Sequence, residues 1–99
     1  MTHIFAVNYV YADDAAALDT HRPAHRQFLA GLVADGELLL SGPLKASEPG
    51  ALLILCGEHA EGVRARLNGD PFQREGLVTH VDVHPWTPVL GAWLPPESP

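Results

Sequence analysis

One histidine in the first half of the chain and one aspartate in the second half are of the types that proton transfer needs. His25 ends the run Arg22-Pro23-Ala24-His25 in a helical segment, and Asp70 opens the turn Asp70-Pro71-Phe72. Imidazole gives or takes a proton near neutral pH. A carboxylate beside it fixes which ring nitrogen carries the proton. We therefore expect general acid–base chemistry if the two side chains meet at the rim of a cavity open to water.

Four further residues are candidates for binding a substrate. Arg22 lies one helical turn before His25, and its guanidinium can hold a carboxylate through two parallel hydrogen bonds. Ser41-Gly42-Pro43 offers a hydroxyl and a close approach of the backbone to a ligand. Each has a structural alternative: Arg22 pairs with an acidic neighbour on the surface, and the tripeptide simply ends a strand. A Ser-His-Asp hydrolase is disfavoured because no Gly-x-Ser-x-Gly motif is present.

The same two candidate catalytic residues also have structural interpretations. His25 on a buried helix face is a neutral core histidine in that reading, and Asp70 before Pro71 is a helix N-cap. A carboxylate has two oxygens, so capping and contact with an imidazole are compatible.

Two metal-binding patterns are visible and both are weak. His80-x-Asp82-x-His84 places three polar side chains on one strand face, which is more typical of an exposed strand. His21 and His25 share a helix face, but no third ligand follows at a usual spacing. We predict no metal and no cofactor.

Composition excludes several classes of function. The 99-residue chain is long enough for one domain. A formal charge of −6 with six Lys and Arg disfavours nucleic acid as a partner. No apolar run approaches the ~20 residues of a membrane span, and no signal peptide is visible. The single Cys56 allows no intrachain disulfide, which fits a cytoplasmic protein.

Apolar periodicity predicts six main elements in the order strand, helix, strand, strand, helix, strand. We expect a strand at 4 to 11, a helix at 15 to 35, strands at 38 to 42 and 51 to 56, a helix at 59 to 68, a helical turn at 71 to 75 and a strand at 77 to 84. Pro23 predicts a break in the first helix near Thr20, with the main helix starting at about His21. Gly36 predicts its left-handed cap, and Pro43 the end of the second strand.

This order is typical of an α+β ferredoxin-like fold: a four-stranded antiparallel sheet with two helices on one face. The uncovered face favours self-association. We expect one domain over residues 1 to 86 and a proline-rich tail over 87 to 99.

The motifs together resemble the YciI-like (YCII-related) family. They are Arg22-x-x-His25, Ser41-Gly42-Pro43, Asp70-Pro71-Phe72 with Gly76, and Val81-x-Val83-x-Pro85-Trp86. The resemblance implies a homodimer of the α+β barrel type and a site at His25 and Asp70. It also implies a lyase or isomerase that acts on a small anionic organic substrate, since some relatives eliminate chloride. The alternative is a non-catalytic dimer that binds a small ligand or assists a pathway.

Overall fold

The fold is a four-stranded antiparallel sheet with its helices packed on one face. The structure is a computed structural model that describes residues 3 to 94. The elements are β1 (His3–Tyr11), α1 (Ala15–Ala34), β2 (Leu38–Leu44), β3 (Gly50–Gly57), α2 (Ala60–Leu67), α3 (Pro71–Arg74) and β4 (Val78–Pro85). The strand order is β2-β3-β1-β4. The predicted α+β ferredoxin-like fold is confirmed.

The core lies between the sheet and the two longer helices. Alternate residues of the central strand β1, Phe5, Val7 and Tyr9, are buried. They share one cluster with Leu32 of α1 and Leu67 of α2. Because side chains alternate along a strand, the residues between them lie on the opposite face. We call that opposite face, which no helix covers, the outer face of the sheet.

Helix α1 is continuous through Pro23, so the predicted break near Thr20 is wrong. A proline inside a helix costs about 3 kcal/mol. The helix nevertheless buries Leu18, His25 and Leu32 at seven-residue intervals on both sides of that proline. Packing of both halves against one core offsets the cost and keeps a single axis. Asp14 caps the helix by accepting a hydrogen bond from the Ala17 N–H at 3.1 Å.

Strand β2 continues past Pro43 to Leu44, so the predicted end of the strand is also wrong. Pro43 is paired with Ala51 of β3. Because β2 lies at an edge of the sheet, a residue without an N–H does not interrupt the ladder when that side faces solvent.

Gly50 at the start of β3 is held against the backbone of β1. A Cβ there would overlap the carbonyl oxygen of Tyr9. Gly50→Ala is therefore expected to lower the free energy of unfolding by about 2–3 kcal/mol, since β1 and β3 must separate. Gly62→Ala in α2 is the matched control, because nothing lies within 4 Å of an added Cβ. It should raise stability by up to about 1 kcal/mol. Urea denaturation measures both, and equal stability of the two variants would contradict this packing.

The chain leaves the sheet at Trp86, whose N–H donates to the Ile4 carbonyl at 2.9 Å. Residues 87 to 94 form no helix or strand. Residues 95 to 99 of the predicted tail lie outside the described residues. Within residues 3 to 94, no helix is both long and apolar enough to cross a membrane.

Candidate active site

The fold brings His25 of α1 against Asp70, the residue that precedes α3. The Nδ1 atom of His25 lies 2.8 Å from Oδ1 and 2.9 Å from Oδ2 of Asp70. The two residues are 45 positions apart in sequence. The contact arises because α3, which begins at Pro71, packs against α1. This packing places the residue before α3, Asp70, beside the buried His25 of α1.

Asp70 is fully buried and receives three donors. Besides the His25 ring, the Phe72 N–H donates to Oδ1 at 2.9 Å and the Tyr9 hydroxyl donates to Oδ2 at 3.0 Å. The capping role predicted for Asp70 therefore coexists with the contact to His25. An ionised carboxylate only accepts hydrogen bonds. His25 must then donate from Nδ1, which leaves Nε2 as the nitrogen for chemistry.

The Nε2 atom of His25 has no hydrogen-bond partner among the described residues, yet it is not sealed from water. No side-chain nitrogen or oxygen in residues 3 to 94 is both buried and unpaired. The His25 residue is 6% exposed and Asp70 is 0% exposed. The pair thus lies below the surface with one nitrogen reaching solvent. The open cavity rim expected from the sequence is replaced by a narrow opening.

Phe72 and Arg22 shape the surroundings of the imidazole. The Phe72 ring stacks on His25 at a centroid distance of 4.0 Å and an interplanar angle of 4°. The guanidinium of Arg22 lies 5.8 Å from the centre of the same Phe72 ring. Its only polar partner among the described residues is the exposed Asp19, at 3.4 Å. Arg22 is therefore a cation near the Phe72 ring on which His25 stacks, and its ion pair with Asp19 is long and exposed.

Tyr9 and Gln73 extend the network, and sequence reasoning missed both. The Gln73 side-chain amide donates to the Tyr9 hydroxyl at 3.3 Å, and that hydroxyl donates to Asp70. The sequence indicates that Tyr9 is a core or dimer-facing aromatic, or that it lines a pocket between the sheet and a helix. The available signal was that a buried tyrosine hydroxyl needs a polar partner. Among the described residues, Asp70 is the one buried residue that ordinarily carries a negative charge.

The environment raises the pKa of both tyrosines. Burial first, and then the Asp70 carboxylate, raise the pKa of Tyr9 far above its ordinary value of 10. Burial and the Asp70 charge likewise raise the pKa of Tyr11, while Arg22 opposes them. Both phenols thus stay protonated and neutral beside the carboxylate.

Because their pKa values are raised, Tyr9 and Tyr11 should lose their protons only at a higher pH in the folded protein than in the unfolded chain. Because Tyr9 and Tyr11 are the only tyrosines, the folded protein should show well under half of its phenolate absorbance at pH 10, and the denatured chain about half. The folded state holds protons that the unfolded chain releases, so stability should fall as pH rises above 10. A half-titrated signal at pH 10 in the folded protein would contradict the burial of these hydroxyls.

The other predicted binding residues lie farther away. Ser41, Gly42 and Pro43 are exposed on β2, and Pro43 is separated from Tyr9 by β3. Two inter-strand spacings place the backbones of Pro43 and Tyr9 roughly 10 Å apart. The structure therefore does not bring these three residues into hydrogen-bond contact with the His25–Asp70 pair.

Neither metal pattern gains support. Residues 3 to 94 contain no group of three or more His, Cys, Asp or Glu placed to hold an ion. The Nδ1 atom of His25 is hydrogen-bonded to Asp70, so it is not available as a metal ligand. The Nε2 atom of His21 lies 3.9 Å from the Glu75 carboxylate.

Comparison with known sequences gives a consistent family match. The family model of the YCII-related domain matches residues 4–87. Protein YciI of Escherichia coli O6:H1 is 34% identical over 94 residues, which cover 82% of this chain and 96% of that protein. Protein YciI of Shigella flexneri matches with the same values.

Solved structures share the fold at low sequence identity. A 5-chloro-2-hydroxyhydroquinone dehydrochlorinase from Burkholderia phenoliruptrix, in complex with 2,5-dihydroxybenzoquinone, superposes with a TM-score of 0.74 and 22% identity, over 85% of this chain and 93% of that one. The cofactor-independent oxygenase SnoaB from Streptomyces nogalater gives a TM-score of 0.52 and 11% identity, over 94% and 98%.

Proposed function

The chain belongs to the YCII-related domain family, and from that membership we propose that it is a cofactor-independent lyase or isomerase of the cytoplasm. Its substrate is a small anionic organic molecule. The proposal depends on one observation: Asp70 binds Nδ1 of His25 at 2.8 Å while Nε2 has no partner among the described residues. A histidine held in this way is a positioned general base.

His25 starts the reaction by proton abstraction. Nε2 removes a proton from an O–H or C–H group of the substrate, and the freed electron pair forms a new π bond. In an elimination, chloride leaves with the electrons of its bond to carbon, and the imidazolium later releases its proton to water. In an isomerisation, the imidazolium returns the proton to another carbon. Asp70 stabilises the imidazolium in both cases, and neither reaction needs a cofactor.

A direct assay follows from the relative with the dehydrochlorinase activity. We expect the purified protein to release chloride from 5-chloro-2-hydroxyhydroquinone or from chlorinated lactones, measured with a chloride electrode. Solvent deuterium incorporation, measured by NMR on non-chlorinated lactones, detects isomerisation. Absence of both chloride release and deuterium exchange across the panel would contradict the enzyme proposal.

Arg22 is proposed to bind the anionic group of the substrate, and Ser41, Gly42 and Pro43 to line its far end. Arg22→Ala should raise KM about 10- to 100-fold with little change in kcat, because a charge-assisted hydrogen bond made in ground and transition state alike is lost. Arg26→Ala, four residues later and exposed, is the matched control and should leave KM within about twofold. A larger loss in kcat than in KM would contradict a binding role for Arg22.

The burial of Asp70 and the stacked Phe72 ring favour a second candidate function, a non-catalytic ligand-binding protein. In that case the pair is a structural element of the core. The protein would then bind members of the panel, detected by calorimetry, without turning any of them over.

We also propose that the protein is a homodimer. The outer face carries large apolar side chains at 38–51% exposure on β2 and β3, which a monomer seldom leaves in one contiguous patch. The comparison structures share this fold, in which the outer faces of two sheets can pack about 10 Å apart.

A further inference from the structure

The outer face of the sheet is apolar on one half and polar on the other. The register places Leu40, Ile54 and Ala6 side by side on this face, and Leu52 beside them. Leu40 is 50% exposed and Leu52 is 40% exposed. The β4 half carries His80, Asp82 and His84 instead, because these residues pair with Val10, Asn8 and Ala6. The apolar half therefore lies on β2 and β3.

Residues 86 to 94, which we call the C-terminal arm, face this apolar half across an open groove. The groove has a volume of about 870 Å³ and is lined by Leu40, Leu52 and Ile54 on one side and by the arm on the other. The arm exposes Val89, Leu90 and Trp93 by 77%, 93% and 86%. Both walls of the groove are thus apolar, and residues 3 to 94 leave the space between them open.

We propose that the groove takes a second copy of this chain, and that the two C-terminal arms are exchanged between the copies. Each arm packs on the outer face of the partner sheet. This inference rests on the homodimer proposed above and adds to it the segment that holds the two copies together.

The exposed area supports a second copy as the occupant. The large apolar residues of the arm and of β2 and β3 together expose on the order of 1000 Å², and a stable interface needs about 800 Å² from each partner. The contacts of the arm with its own chain leave Leu90 and Trp93 93% and 86% exposed, so a second chain is needed to bury them.

Charge and symmetry support the same occupant. None of the described residues that line the groove is charged. Two copies, each with a net charge of −6, can therefore meet there without bringing like charges into contact. A charged peptide or a small anion finds no partner group on these walls. Each chain carries both the arm and the sheet face on which an arm packs. Two copies related by a two-fold axis therefore make the same pair of contacts, and the assembly stops at a dimer.

Sedimentation equilibrium of the full chain tests the role of the arm. We expect a dimer at micromolar concentration, and Leu90→Asp should weaken dimerisation by about tenfold or more. Val33→Asp is the matched control, because Val33 is a 58% exposed apolar residue on α1, on the helix side of the sheet. It should change the dissociation constant by less than about twofold. A monomeric wild type, or equal effects of both variants, would overturn the proposal.

Cross-linking of mixed chains tests the exchange itself. One protein carries Leu90→Cys and the other Leu40→Cys with a size tag, both with Cys56→Ser. After mixing, a short bismaleimide should link one chain of each kind. A third protein carries both Leu40→Cys and Leu90→Cys in one chain. If the reagent links these two cysteines within single chains and forms no link between chains, the arm stays on its own sheet and the exchange is overturned. Neither measurement uses a substrate, so its failure would leave the acid–base proposal unaffected.

Discussion

Asp70→Asn is expected to produce the largest combined loss of stability and activity. The substitution keeps the shape of the side chain but replaces one acceptor oxygen by an NH₂ donor. Three donors, from His25, Phe72 and Tyr9, converge on the carboxylate in the structure. At least one of them must lose its acceptor in a fully buried place. The free energy of unfolding should therefore fall by about 3 kcal/mol.

Asp70→Asn should also lower the turnover of the protein that remains folded. The new amide N–H needs an acceptor, and two lie within reach: the Tyr9 hydroxyl oxygen and the Nδ1 lone pair of His25. Donation to Nδ1 moves the ring proton to Nε2 and removes the base. A wrong tautomer of this kind lowers turnover by about 10⁴ in a serine protease, and we expect a loss up to that size.

Asp13→Asn, at an exposed position before α1, is the control for loss of one charge. It should leave both quantities nearly unchanged. Urea denaturation and chloride release measure the two effects. An Asp70→Asn protein with wild-type turnover would show that the carboxylate does not orient the imidazole.

His25→Asn is expected to abolish proton transfer while it preserves the fold. The amide nitrogen of asparagine can occupy the place of Nδ1 and still donate to Asp70, so the buried carboxylate keeps a partner. No titratable group remains at the position of Nε2. We expect a loss in kcat of about 10²–10⁴, the usual contribution of a general acid or base.

His21→Asn is the matched control, because His21 lies one turn earlier on α1 and its only polar partner among the described residues is Glu75, at 3.9 Å. It should keep turnover within a few-fold. Circular dichroism and thermal unfolding monitor the fold of both variants. If His25→Asn does not fold, His25→Gln, whose amide reaches farther, serves in its place. Turnover of a folded His25 variant at the wild-type rate would remove His25 from the mechanism.

The sequence predicted the architecture because the fold is encoded in local periodicity. The alternation of buried residues assigns β1 and its buried face. The seven-residue spacing of Leu18, His25 and Leu32 does the same for α1. Errors arose where tertiary packing offsets a local cost. Pro23 remains inside α1 because the core anchors both halves of the helix, and Pro43 remains inside β2 because that strand is an edge.

The candidate site was only partly predictable, because its geometry depends on contacts between residues distant in sequence. His25 and Asp70 were identifiable from their chemistry and from the family resemblance. Tyr9 and Gln73 were not, since no local pattern shows that the Tyr9 hydroxyl reaches a carboxylate 61 positions later.

Everything proposed for the site requires that Asp70 accepts a hydrogen bond from the Nδ1–H group of His25, which leaves Nε2 free to act. Side-chain ¹⁵N NMR of the full chain, recorded over a pH series, tests it most directly without a substrate. In the neutral form of His25 we expect a proton on Nδ1 and none on Nε2, whereas free histidine prefers the opposite tautomer. A proton found on Nε2 of neutral His25 would contradict the account.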